Sequence, residues 1–410
     1  MNYTKEEAIE KIRSIDAEFV CLTFYDVYGK QKNITIMPEE LERAFDSGIS
    51  LDAALVDGYR MDAKIDLLVK PDPNTLCELP QSLADNAIGQ VMRMNCNVFY
   101  PDGRPFENDP RYILKLAVEE AEKRGLQFNF GPAMEFYLFE TRSENKFDNS
   151  IRQPYDNAGY MASAPEDRCE AVRREICLDL RKMGIRPECA YHEEGPGQNK
   201  IKFHFNTPME AADAATAYKA VVRSVAARYG LEADFSPKPL ERIAGNSMHV
   251  NMSVISKDGM DRTPDIIAGV LAKAQEITVF LNPTKKSYKR LGHDNAVKYV
   301  SWSDANRSTL IRIPAYGGYT RFELRSPDNG TNPYIAFALL IYAALYGIDE
   351  KPTLQKASEE DLFEADSKAL SRLKPLPASL AEAQSKAKNS LFVREHLPMK
   401  VIDAYVKSDK

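Results

Sequence analysis

Ala133-Met134-Glu135-Phe136-Tyr137-Leu138, Lys200-Ile201-Lys202-Phe203-His204-Phe205, Met248-His249-Val250-Asn251-Met252-Ser253 and Arg321-Phe322-Glu323-Leu324-Arg325 share one pattern, in which polar or titratable groups alternate with apolar ones. Side chains alternate across a strand, so Lys200, Lys202 and His204 are expected on one face, as are His249, Asn251 and Ser253, and Arg321, Glu323 and Arg325. Such residues are costly to bury unless they hold a charged ligand, a metal or one another. An antiparallel sheet with one wet face shows the same alternation, and a single run leaves that reading open. The recurrence of the pattern, between long helical stretches, favours a sheet lining a charged cavity in an enzyme of anionic substrates.

Working outward, the 410 residues are enough for two domains and a core that needs neither disulfides nor a structural metal. The content is 44% hydrophobic and 28% charged, as in ordinary globular proteins, and the net charge of -6 argues against nucleic acid as a partner. No export signal is read at the polar N-terminus, and no run is expected to reach the roughly 18 apolar residues of a membrane helix. Cys21, Cys77, Cys96, Cys169, Cys177 and Cys189 form no Cys-x-x-Cys pair and read as reduced thiols of a cytoplasmic protein.

The turn-rich stretch Tyr100-Pro101-Asp102-Gly103-Arg104-Pro105 marks a boundary, giving domains 1–105 and 106–410. A helix follows it, capped by Asn108 or Asp109, with Pro110 in its first turn, Ile113, Leu116, Ala117 and Ala121 on one stripe, and Gly125 as a stop. Further helices are expected over 170–183, 211–229, 265–280 and 376–406. The fold class is α+β, a small N-terminal domain followed by a large one.

In order along the chain, these runs resemble the glutamine synthetase family. Leu51-Asp52-Ala53-Ala54-Leu55 stands where the family has Phe-Asp-Gly-Ser-Ser, and the resemblance continues through 131–139, His192-Glu193-Glu194-Gly195-Pro196-Gly197-Gln198, Met248-His249, Asn282-Pro283-Thr284, Asn306-Arg307-Ser308 and 321–334. It implies a β-grasp-like N-terminal domain, 1–105, and a catalytic domain, 106–410, whose curved antiparallel sheet lines a funnel. It also implies a ligase of nitrogen metabolism that phosphorylates the γ-carboxylate of glutamate with ATP and lets an amine displace the phosphate. Family members form homo-oligomeric rings of six, usually stacked as dodecamers, with each site shared between neighbours.

By that resemblance Arg290 and Arg325 match substrate-binding arginines, and Gly245 and His249 stand beside them. Arg307, Arg312, Arg321 and Ser253 fall among the nucleotide and phosphate contacts. Asp52 matches the acid that receives the ammonium ion, so the expected catalytic set is Asp52, Arg307, Arg290 and Lys200. The bland alternative is that some arginines pair with local acids such as Asp328 or Glu323.

The metal positions depart from the family. Its three carboxylates at one site fall at Glu135, Glu193 and Lys200; its Glu, His and Glu at the other fall at Ala133, His249 and Glu323. The set here is three carboxylates and one ammonium, with His249 neutral. Two Mg2+ or Mn2+ ions would be under-neutralised, so the expectation is a Lys200 salt bridge at the first site and at most one ion at the second. The segment 291–298 is one residue shorter than the family's catalytic flap and lacks its Glu, with Asp294 the nearest substitute. Ala244 replaces an Asn that contacts glutamate, and Asn251 a phosphate-placing His. Three readings follow: a γ-glutamyl ligase of a non-standard amine or carboxylate, a catalytically inactive ring protein that binds or regulates, and a metal-independent enzyme anchored by Lys200. Ordinary glutamine synthesis is the outcome these departures disfavour.

Overall fold

The computed structural model describes residues 3–60, 65–80, 83, 89–141, 152–314 and 321–409. In the small domain, Thr4 and Glu7 form a capping box that starts a helix over Lys5–Ser14. Strands β1 (Ala17–Tyr25), β2 (Gln31–Ile36), β3 (Ile49–Asp52), β4 (Asp66–Pro71), β5 (Cys77–Glu78) and β6 (Gln90–Phe99) make a sheet of order β2-β1-β6-β4-β3, with β5 also on β6. The long apolar strands β1 and β6 are buried at its centre and pair in parallel, placing Leu22 opposite Met94.

The large domain carries the second sheet, built from β7 (Leu126–Glu140), β8 (Pro187–His192), β9 (Gln198–Phe203), β10 (Leu231–Asp234), β11 (Met248–Ser256), β12 (Trp302–Ser303), β13 (Ile311–Arg312) and β14 (Phe322–Leu324). Its order is β12-β13-β14-β11-β7-β9-β8, with β10 on β7. The register brings the alternating residues into rows. Tyr191 lies opposite Lys200 and Lys200 opposite Glu135; Lys202 faces Ala133 and Ala133 faces His249; Asn251 faces Glu323, which faces Arg312. The other face of β7 is apolar and meets helices. Phe136 makes an edge contact with Tyr218 of the helix Pro208–Arg228, and Phe130 stacks at 4.3 Å on Phe337 of the helix Pro333–Glu350.

Several expectations need correction. The helix Pro110–Lys123 is capped by Asp109, which accepts from the Arg111 N–H, but Leu116 is exposed and lies off the buried stripe. The expected helix over 376–406 is three, Leu380–Asn389, Leu391–His396 and Met399–Val406. Ser390 caps the second with its hydroxyl, and Pro398, with no N–H to donate, separates the third. His204 lies outside β9 and is exposed; the ladder with β8 runs to Pro187, which has no N–H, and beyond it the His204 N–H donates to the Arg186 carbonyl oxygen at 3.1 Å. One helix, Pro333–Glu350, does have the length and composition of a membrane span, but 72% of it is buried inside the protein, as suits a core helix.

That helix crosses Thr263–Leu281 at backbone distance. A Cβ on Gly269 would lie 2.2 Å from the Ala343 carbonyl oxygen, and one on Gly347 would lie 2.1 Å from that of Asp265. Gly269→Ala and Gly347→Ala are each expected to lower stability by about 1–3 kcal/mol, the usual cost of overpacking, read as a shifted urea midpoint at unchanged slope.

Candidate active site

The rows of the second sheet floor a cavity of about 430 Å³ whose lining includes Glu135, Glu193, Lys200, Gly245, His249, Arg290, Arg307 and Arg325. At its floor the Lys200 ammonium stands 2.6 Å from Glu135 Oε1 and 3.2 Å from Glu193 Oε1. The second Glu135 oxygen accepts the Ser247 N–H at 2.8 Å. Burial, the largest single influence, pushes the Glu135 carboxyl upward, but the Lys200 charge and hydrogen bond, with the Ser247 N–H and the neighbouring His249, together outweigh it and hold the group below its ordinary range. Burial likewise disfavours the Lys200 ammonium, and Glu135 and then Glu193 reverse that, so it stays protonated.

The second row is filled differently. Ala133 offers only a methyl group. Burial, then the Lys200 and Arg325 charges, drive His249 down to about 4, so its ring is neutral at pH 7. Its Nδ1 lies 3.3 Å from Glu323 Oε1. The other Glu323 oxygen accepts from Arg312 Nε at 3.0 Å and Arg325 Nη1 at 3.2 Å. The alternative of pairing with local acids is therefore realised for Glu323. Asp328 instead accepts from Asn282 and the Gly330 N–H.

Arg290, 3% exposed, donates to the Ser326 and Pro327 carbonyls and has no carboxylate within ion-pair distance among the described residues. The Nε of both Arg290 and Arg325 is buried and unpartnered. Gly245 lets Arg290 approach, since a Cβ there would meet its Cγ at 2.8 Å and the Pro237 oxygen at 2.3 Å. Over the cavity, Asp294 and Asn295 adopt left-handed backbone, with φ of 46° and 63°. Asp294 is ion-paired to Lys238, and Asn295 donates to Glu194 at 3.3 Å.

Other expected residues lie outside this cavity. Arg312 and Glu323 sit behind its lining. Arg321 holds its guanidinium 5.6 Å from the Phe205 ring, and Ser253 lies further along β11, opposite Asn129. Asp52 is exposed on the small domain, accepting from the Ala54 N–H at 2.8 Å. Conversely, Tyr160, Tyr191, Glu194 and Ser247 line the cavity without having been singled out. Strand parity could have found Tyr191, the register partner of Lys200.

Among the described residues, Asp156, Asp167, Cys169 and His192 cluster closely enough to hold a metal ion, but their donor atoms are committed. His192 places Nδ1 2.7 Å from the Glu193 carbonyl oxygen and Nε2 2.9 Å from Asp156. Both partners are acceptors, so both ring nitrogens carry protons. Asp167 is held by Arg173. The cluster anchors the backbone of Glu193 from behind.

Two family models cover the chain: the glutamine synthetase β-grasp domain over residues 16–101 and the glutamine synthetase catalytic domain over residues 107–410. The chain belongs to the glutamine synthetase family. The glutamine synthetase of Methanosarcina mazei is 38% identical, with 98% of this chain and 92% of that protein aligned. That of Thermus thermophilus is 36% identical over 97% and 92%. Among solved structures, GmaS in complex with ADP superposes with a TM-score of 0.87 at 25% identity, covering 99% of this chain and 94% of that one. The glutamine synthetase family uses ATP and divalent metals. The donors at this cavity do not suit a pair of cations, because the Lys200 ammonium already holds Glu135 and Glu193, Ala133 offers no donor, and two guanidinia hold Glu323.

Lys200→Met leaves Glu135 and Glu193 buried without a counter-charge, and is expected to cost roughly 3–5 kcal/mol at pH 7. The sign of the pH dependence reverses. In the native protein the depressed Glu135 contributes stability that is full above its unfolded value and is lost as pH falls through the folded one. In the variant, burial unopposed raises it, so the deficit shrinks between pH 7 and 5; urea titrations at both values check this.

Proposed function

We propose that this glutamine synthetase family member is an ATP-dependent γ-glutamyl-type ligase, joining an amine to a glutamate-like carboxylate, with a non-standard amine or carboxylate and at most one divalent cation. The observation that carries the reading is the Lys200 ammonium bound to two carboxylates at the floor of a cavity that keeps Arg290, Arg307 and Arg325 in its wall. A guanidinium is always charged and grips carboxylate or phosphate with a planar fork, so Arg290 and Arg325 are assigned to the substrate carboxylate. Arg307, with Arg312 and Arg321 behind it, is assigned to phosphate. The likeness to a GmaS structure holding ADP supports a nucleotide. Asp52, away from this cavity, serves the amine only if the small domain of a neighbouring copy closes the site, which supports a ring, with a dodecamer as the specific proposal. Lys200, held protonated, acts as a fixed charge rather than a base.

A second reading, a catalytically inactive ring protein that binds or regulates, is favoured by Ala133 and by the two arginines on Glu323.

Purified protein with ATP, magnesium, glutamate and a panel of amines is expected to release phosphate with an amine other than ammonia. No release with any amine, while glutamate or ATP still raises the melting temperature, would favour the second reading. Ala133→Glu with Lys200→Glu is expected to raise glutamine formation and to create manganese sites that calorimetry detects.

A further inference from the structure

Guanidinium groups that are at least nine-tenths buried are accommodated in two ways in this chain. Arg111 is held by Asp72 and Asp213, Arg173 by Asp167, and Arg325 by Glu323. Arg93 and Arg290 have no carboxylate within ion-pair distance among the described residues. Arg290 lines the cavity assigned above. Arg93 lines a different one, of about 280 Å³, between the two domains.

Arg93 lies on β6 and is 5% exposed. Its Nε donates to Thr23 Oγ1 at 3.1 Å, and its Nη2 donates to the Tyr25 hydroxyl at 2.9 Å and to Asn95 Oδ1 at 3.0 Å. Those acceptors are all neutral. The N–H groups of Nη1 have no partner among the described residues. A buried charge with only neutral acceptors is expensive, and a guanidinium cannot relieve the cost by losing its proton. The Asp213 carboxylate offsets part of that cost from beyond ion-pair distance; what the arrangement lacks is an anion in contact with the guanidinium, and the cavity is where one fits.

We infer that this interdomain cavity is a binding site for a small carboxylate, engaged by Arg93. Asn74, Thr75 and Cys77 of the small domain and Phe203, His204 and Phe205 of the large domain contribute to its wall. The cavity lies just below the ~300–1,000 Å³ typical of ligand pockets, which suits a compact metabolite. Its charge balance favours a carboxylate over a phosphate. Asp213 and Glu210 also line it, the first already bound to Arg111 and Tyr334 and the second to Thr207, while the additional lining cation, Arg186, is exposed. An occupant also touches the end of the strand that carries Lys200, since β9 runs from Gln198 to Phe203. Phe205 in turn lies under the Arg321 guanidinium and against Gly131 of β7.

Isothermal titration of the full-length protein with succinate, and separately with inorganic phosphate, tests the site. Succinate is expected to bind at two places per chain, with Arg93→Met weakening one at least tenfold and Arg290→Met weakening the other; the Arg93 site is not expected to take phosphate. Arg93→Lys, which keeps the charge and loses the planar fork, is expected to fold and to bind succinate at least tenfold more weakly at the same place. A succinate isotherm unchanged by Arg93→Met or Arg93→Lys overturns the proposal, as does phosphate occupying the site in preference to succinate. If Arg93→Met does not fold, the Arg93→Lys isotherm decides alone. Because the readout is binding without ATP, its failure is distinct from failure of the ligase reading.

Discussion

The ion triad of Lys200, Glu135 and Glu193 is the constraint on which the rest of the cavity depends. Three charges taken out of water cost several kcal/mol each, and they are tolerable only because the ammonium sits 2.6 and 3.2 Å from its two partners. The triad ties β9 to β7 and to the turn after β8, adding side-chain contacts to the ladders that β9 makes with both neighbours. It also decides the electrostatics above it. The ammonium places a permanent cation of the protein at the cavity floor, and after burial it is the main influence lowering the basicity of His249.

The sheet was legible in the sequence because the side-chain period of a strand is exact in register: a shift by one residue would turn every charged group onto the apolar face. Glu135, Lys200 and His249 therefore came together as their alternation implied, and the Lys200 salt bridge followed from substituting an ammonium into a carboxylate set. The fate of Glu323 was less legible. Its grip by Arg312 depends on β13, a two-residue strand with no pattern of its own, and on its pairing opposite β14. β9 ends where its ladder with β8 reaches Pro187, a proline on a neighbouring strand that the alternation within the run through His204 does not reveal. Asp52 could not be placed at all from one chain, since nothing within that chain brings it to the cavity. The C-terminal stretch reads as one helix although Ser390 and Pro398 interrupt it, because amphipathic spacing persists across the breaks.

Among the described residues, three of the devices that accommodate buried charge bear on the cavities. Acid–base pairs neutralise most of it, as at Arg111 and Arg173. At His192 the charge is fixed by two acceptors on opposite sides of the ring, which turns a titratable group into a rigid strut behind Glu193. At Arg290 and Arg93 the protein supplies only neutral oxygens. Charges of the first two kinds complete themselves within the fold, whereas the third kind leaves a demand that a ligand from outside can satisfy.

The loop carrying Asp294 and Asn295 is fastened at two points, to Lys238 on one side and Glu194 on the other. Both fasteners are polar and at least one partner in each is reached by water, so neither resists solvent for long. The hold on this segment is thus one ion pair and one side-chain hydrogen bond, which salt and water weaken far more than they weaken the buried triad at the floor.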